Sequence, residues 1–292
     1  MAVVNKHVEK AERLMQKGRT DAALEEYLLA WKEEPANDSL VQMAADLYQR
    51  LNKIPESRKC YAYLFDKYAE QDDISKAMES FRCMQRFGPV EPPRLMRCAQ
   101  LLEKAKPDEA IEHYRRALDT ALGQDPEMAL QCLHGLARLQ PSSPEVQARM
   151  AAVALKMGKA DLSIAAYHKL GQLRMVEGQY ADAAEALEEA YRVPGGPGVV
   201  KMDLARACAK AGRFTRLISI LGEGALHSTN PEILELAGQA HLAEKQLEKA
   251  EQIYGKLLGL SPAALNPLFE IALEYLRQEK ISQSLQSLKT IE

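Results

Sequence analysis

No run of apolar residues in this 292-residue chain approaches the roughly 20 that a membrane-spanning helix needs. The N-terminal stretch MAVVNKHVEK reaches only two valines before charges begin, so it is not expected to act as a secretory signal, and the expected location is the cytoplasm. Cysteine is scarce. Cys60, Cys83, Cys98, Cys132 and Cys208 are odd in number and widely spaced, with no C-x-x-C pair, which speaks against a disulfide framework or a zinc site. Charge of one sign is missing too. Thirty-eight Lys and Arg face 41 Asp and Glu, for a net charge of −3, so there is no electrostatic footprint for nucleic acid or for an anionic membrane surface. Valine, isoleucine and threonine are sparse and never alternate, which excludes a β-rich fold. Catalytic signatures are absent: there is no H-E-x-x-H and no G-x-S-x-G. The nearest Cys/His pair, Cys132 and His134, stands two residues apart and would point to different faces of a helix. The expectation is a non-enzyme with no cofactor and no metal.

What the chain does have is helix formers: Ala, Leu, Glu, Lys and Gln dominate. The fold class expected is all-α. After Gly18 breaks a first helical stretch, TDAALEEYLLAWKEEP places Ala23, Tyr27, Ala30 and Pro35 at spacings of four, three and five. Near the other end, EKAEQIYGKLLGLSP places Ala250, Tyr254, Leu257 and Pro262 in the same way. SQSLQSLKTI places Ser284, at a step of 34 from Ala250, with Leu288 and Ile291. Gly238 and Ala272, also 34 apart, supply small residues in the preceding helices. Antiparallel helices approach closely only where side chains are small, a large side chain fills the gap to the next pair, and proline ends the unit.

These patterns resemble the tetratricopeptide repeat, a helical hairpin of about 34 residues. The resemblance covers nearly the whole chain and is most specific at residues 4–37 and 231–292. It weakens over 198–230, where Leu217 stands at a place that calls for a small residue. It implies a right-handed α-solenoid superhelix, with about 17 helices expected from the pattern. The reading is one solenoid over 1–292: a regular repeat at 3–37, a variant array at 38–196, and regular repeats over 198–292.

The variant array rests on a step of 53. Ala45, Cys98 and Ala151 align, as do Ser57, Ala110 and Ser163, and Tyr61, Tyr114 and Tyr167. Each of the three consecutive units has room for three helices. The repeat signature recurs at a step of only 20, from Ser163-Tyr167-Leu170 to Ala183-Leu187-Ala190. The middle helix of each unit therefore serves two pairs, as second helix of one and first helix of the next. Lys159–Glu177 must be one long rod, apolar on two faces through Leu162, Ile164, Ala165, Ala166, Leu170, Leu173 and Val176. In the second unit the third helix fits best one residue early, through Ala129, Leu133 and Leu136. The glycine-rich VPGGPG (193–198) has no preceding strand and no following Lys-Ser/Thr, so it reads as a turn rather than a phosphate loop.

In tetratricopeptide-repeat proteins the first helices line a concave groove through the second, fifth, ninth, twelfth and thirteenth places of the repeat. Carried onto this chain, those places imply Gln42, Asp46, Gln49, Arg50, Arg115, Asp119, Lys156, His168, Gln172, Arg206, Lys210, Glu235, Gln239 and Arg277. The lining is polar and leans basic from Lys156 to Lys210. The Lys/Asn clamp for chaperone C-termini is absent, since the fifth and ninth places hold Val8/Glu12, Gln42/Asp46 and Leu95/Ala99. The function implied is a protein-interaction scaffold that binds a peptide or partner segment. The alternatives are a sensor for a small peptide or nucleotide, and a structural dimeriser. The last fits the end of the chain, where Leu285, Leu288 and Ile291 form an apolar stripe, expected to meet a further domain, a partner or a second copy.

Overall fold

The computed structural model describes residues 2–291, and among these there are seventeen α-helices and no strand. Two compact units divide the chain, Met1–Pro141 and Ser142–Glu292. The first holds α1 (Ala2–Gln16), α2 (Thr20–Glu33), α3 (Asp38–Arg50), α4 (Ile54–Glu70), α5 (Ile74–Arg86), α6 (Pro92–Leu102), α7 (Pro107–Ala121) and α8 (Pro126–Leu139). The second holds α9 (Pro144–Lys156), α10 (Ala160–Val176), α11 (Tyr180–Arg192), α12 (Gly196–Lys210), α13 (Phe214–Leu221), α14 (Pro231–Ala243), α15 (Leu247–Leu258), α16 (Leu265–Arg277) and α17 (Ile281–Ile291). Within each unit every helix packs chiefly on its neighbours in sequence, the stacking of an all-α solenoid. No helix among the described residues is long and apolar enough to cross a membrane.

The starts and stops are local chemistry. Pro92, Pro107, Pro126, Pro144 and Pro231 open helices, where a missing N–H costs nothing. Asp73, Asp125, Ser143 and Asn230 accept a hydrogen bond from the first-turn backbone of the helix that follows. Many helix-to-helix turns use one residue in the left-handed region, at Gly18, Asn52, Asp72, Gly158, Gly178, Gly212, Lys245 and Glu279. Asn52 follows Gly18 at a step of 34, and Asp72 follows Asn52 at a step of 20. Gly178 follows Gly158 at the shorter step, and Gly212 follows Gly178 at the longer one. The backbone thus repeats the two steps seen in the side chains.

α4 and α10 are unbroken helices of 17 residues, longer than their neighbours. α4 packs on both α3 and α5, α7 on both α6 and α8, and α10 on both α9 and α11. Two residues of α10 fall outside the expected packing: Ala165 and Val176 are exposed, Val176 being the last residue of the helix.

Close approach is set by what is small. A Cβ added to Gly238 would lie 2.7 Å from the Tyr254 ring, and one added to Gly171 would lie 2.5 Å from Leu187. Gly135 faces the Tyr114 ring in the same fashion, so Tyr114 is wholly buried. Tyr167, its counterpart one unit on, is only partly buried at the rim of a cleft with Leu170 and Glu189. The cost of about 3–5 kcal/mol expected for deleting a packed aromatic therefore belongs to Tyr114 and not to Tyr167. α8 buries Ala129, Leu133 and Leu136, the early register. Serines at the small places tie pairs together: Ser163 Oγ donates to the Ala151 carbonyl at 3.2 Å, and Ser284 Oγ to the Ala272 carbonyl at 2.8 Å. Buried Leu217, in place of a small residue, goes with a shortened helix, since α13 is eight residues and a 3-10 turn at Glu223–His227 follows. In VPGGPG, Gly195 is left-handed and Gly196 already begins α12.

Candidate interaction surface

In the second unit three helices bring polar residues to one line. His168 and Gln172 stand one turn apart on α10, Asp203 and Arg206 three residues apart on α12, and Glu232 in the first turn of α14. His168 Nε2 lies 2.6 Å from Asp203 Oδ2, and the Gln172 amide reaches the same oxygen at 3.5 Å. Arg206 donates to Asp203 Oδ1 at 2.6 Å, and through Nε and Nη2 to both oxygens of Glu232 at 2.6 and 3.0 Å. Burial acts to raise the Asp203 carboxyl, but the bonds from His168, Arg206 and Gln172 outweigh it and hold it below the usual carboxylate range. The Arg206 bond holds Glu232 low, and Glu232, with Asp203 second, holds Arg206 high.

Arg206 is therefore engaged within the chain. Lys156, at the end of α9, and Lys210, at the end of α12, are exposed, and neither makes a hydrogen bond or ion pair among the described residues. Glu235 and Gln239 on α14 are exposed and equally unengaged. Arg277 on α16 pairs with Glu274 at 3.1 Å. Sequence reasoning missed Asp203 and Glu232, although Asp203 lies three residues from Arg206. It also passed over Phe269, Leu273 and Leu276. These occupy the fifth, ninth and twelfth places of the last repeat, so the rule that selected Arg277 selects them too.

In the first unit Gln42, Gln49 and Arg50 are exposed on α3. Gln42 lines a pocket with Tyr61, Tyr68, Lys76 and Glu79. Asp46 accepts the Tyr61 hydroxyl at 2.7 Å. Burial, and then Asp46, push the Tyr61 phenol well above its ordinary range, so it stays a donor. On α7 Arg115 donates to the Gln140 amide oxygen at 3.3 Å, and Asp119 is exposed.

The thiols are not poised for chemistry. Burial pushes Cys60 and Cys132 to about 11 and Cys98 to about 12, leaving them as protonated small core residues. Among the described residues no group of three His, Cys, Asp or Glu stands together as a metal site would require.

Stacked helical pairs that present polar side chains from successive helices define a helical-repeat protein with an interaction surface. Family models described as tetratricopeptide repeat match residues 168–227 and 231–263. Tetratricopeptide repeats are therefore present over these residues. The first match includes 198–227, where the sequence pattern alone is weak. No curated protein matches the chain. Among solved structures it is similar to that titled "Structure of Naa15/Naa10 bound to HypK-THB", at 18% identity and a TM-score of 0.44, over 92% of this chain and 39% of that one. It is also similar to the P58(IPK) TPR domain, at 15% identity and a TM-score of 0.29, over 98% of each chain. A third is the yeast Sti1 TPR2AB-domain:pHSP90 complex, at 14% identity and a TM-score of 0.28, over 98% of each chain. At these scores none of the three bears on what this chain binds.

Proposed function

We propose that the chain is a non-catalytic scaffold that holds an extended or helical partner segment against the first-helix faces of its repeats. The observation that carries this is the set of exposed, unengaged polar ends at the repeat's groove places: Gln42, Gln49 and Arg50 in one unit, Lys156, Lys210, Glu235 and Gln239 in the other. Such ends hydrogen-bond to a peptide backbone and pair with its charged side chains. The partner is a protein or peptide, not a nucleic acid, because the cations are interspersed with carboxylates that outnumber them. On this reading the chain has regular repeats at 3–37 and 198–292 and three 53-residue units, each with a shared middle helix, over 38–196.

The test is partner capture by the wild-type chain and by the double variant Lys156→Glu with Lys210→Glu. Both side chains are exposed and unengaged, so helix content stays the same. Capture that weakens supports the groove, and capture that is unchanged for every partner removes it. Arg206→Glu is a poorer probe, because it also breaks the tie to Glu232. A second reading, dimerisation through α17, is favoured by one observation: Leu285 and Leu288 are exposed on its surface, while Ile291 packs partly into the core. It predicts a concentration-dependent mass that Leu288→Glu abolishes.

A further inference from the structure

The exposed face of α16 differs in kind from that of α14, one repeat earlier. Where α14 carries Glu235 and Gln239, α16 carries Phe269 and Leu273, again at a step of 34. With Leu276 they recur at i, i+4 and i+7, so they share one helix face. All three are open to solvent, at 48%, 54% and 53% exposure. The buried face of the same helix is separate and already complete, through Leu268, Ile271, Ala272 and Tyr275. The exposed trio is therefore surplus to the fold.

Two exposed carboxylates belong to the same places: Glu270 follows Phe269 on α16, and Glu235 holds the place of Phe269 one repeat earlier on α14. Both are exposed, and neither is engaged by a cation of the chain. The nearest cation in sequence, Arg277, is bound to Glu274. A second copy of the chain would bring the same carboxylate excess with it, so like charge disfavours it as the occupant.

We propose that Phe269, Leu273 and Leu276, together with Glu235 and Glu270, dock a cationic amphipathic helix of a partner protein. Its apolar side chains sit on the trio and its Lys or Arg side chains meet the two carboxylates. This deepens the scaffold reading and rests on it, since it assigns one end of the proposed surface a partner chemistry opposite to that of Lys156 and Lys210.

Fluorescence anisotropy with a labelled Leu/Lys model helix of about four turns is the direct test. Saturable binding is expected. It weakens about tenfold or more, some 1.4 kcal/mol, with Leu273→Ser, with Glu235→Lys plus Glu270→Lys, and when the probe carries Glu in place of Lys. Lys156→Glu with Lys210→Glu does not weaken it. Equal binding by the Leu273→Ser chain, or equal binding of the Leu/Glu probe, overturns the proposal. So does a sedimenting dimer that Leu273→Ser dissolves, which assigns the face to a second copy. If Leu273→Ser has no effect while partner capture still depends on Lys156 and Lys210, this inference fails alone and the scaffold reading stands.

Discussion

Replacing Gly238 with alanine puts two effects against each other. Alanine in a helix interior is favoured over glycine by about 1 kcal/mol. The new methyl, however, would stand 2.7 Å from Tyr254 Cζ and 2.9 Å from both Cε atoms. The ring is 3% exposed and held between α14 and α16, so it has no free direction in which to yield. Overpacking of that kind costs about 1–3 kcal/mol. The net expectation is a loss of about 1 kcal/mol or more, the upper part of that range winning because three ring atoms are met at once. One repeat on, Ala272 and Leu288 stand at the places of Gly238 and Tyr254, a larger small residue with a smaller large one. Gly238→Ala with Tyr254→Leu should therefore lose less than the two single changes summed, a coupling of about 1 kcal/mol. Urea unfolding followed by far-UV circular dichroism reads all four proteins. A Gly238→Ala chain as stable as wild type, or more stable, refutes the close-contact reasoning. So does simple additivity.

Three further outcomes follow from single residues. Ser57 is wholly buried and its hydroxyl has no partner, while Ser163 and Ser284 at matching places donate to carbonyls; Ser57→Ala should be neutral or stabilising by up to about 1 kcal/mol, and Ser163→Ala destabilising by about as much, in the same unfolding assay. Glu279 holds a left-handed backbone, which costs a side-chain-bearing residue about 1 kcal/mol, so Glu279→Gly should raise the midpoint, and a lowered midpoint contradicts it. Asp203 and Glu232 titrate below their unfolded values, so their contribution is present above about pH 4 and is lost as pH falls through the lower folded values. Both are partly exposed and the effect is under about 1 kcal/mol. Glu232→Gln should remove the Glu232 part of that acid loss, and an acid limb unchanged in the variant argues against the network.

The repeat was legible because each step leaves a mark in residue type. Small residues stand where helices touch, at Ala23, Ser163, Ala183, Ala250 and Ser284, and glycine or a polar residue stands where the turn goes left-handed. Those marks recur at the same two steps whatever lies between. The length of α10, 17 residues, follows from the shorter step. Burial of one aromatic was not legible, because it depends on what lies opposite. Tyr114 sinks into the space that Gly135 leaves, and Tyr167 does not sink as far. Nor was the state of Arg206: its partner Glu232 comes from another helix, across the weakest part of the pattern. Phe269, Leu273 and Leu276 stand at readable places, but exposed apolar residues blend into the apolar periodicity of the helix.

α10 is one unbroken rod packed on both α9 and α11. Hydrogen exchange across 160–176 tests it directly, because a helix covered on both sides opens only with its neighbours. Protection should run continuously through the middle of α10, at least as strong as in α9 and α11. Fast exchange around 167–169, splitting the segment into two short pieces, would contradict it.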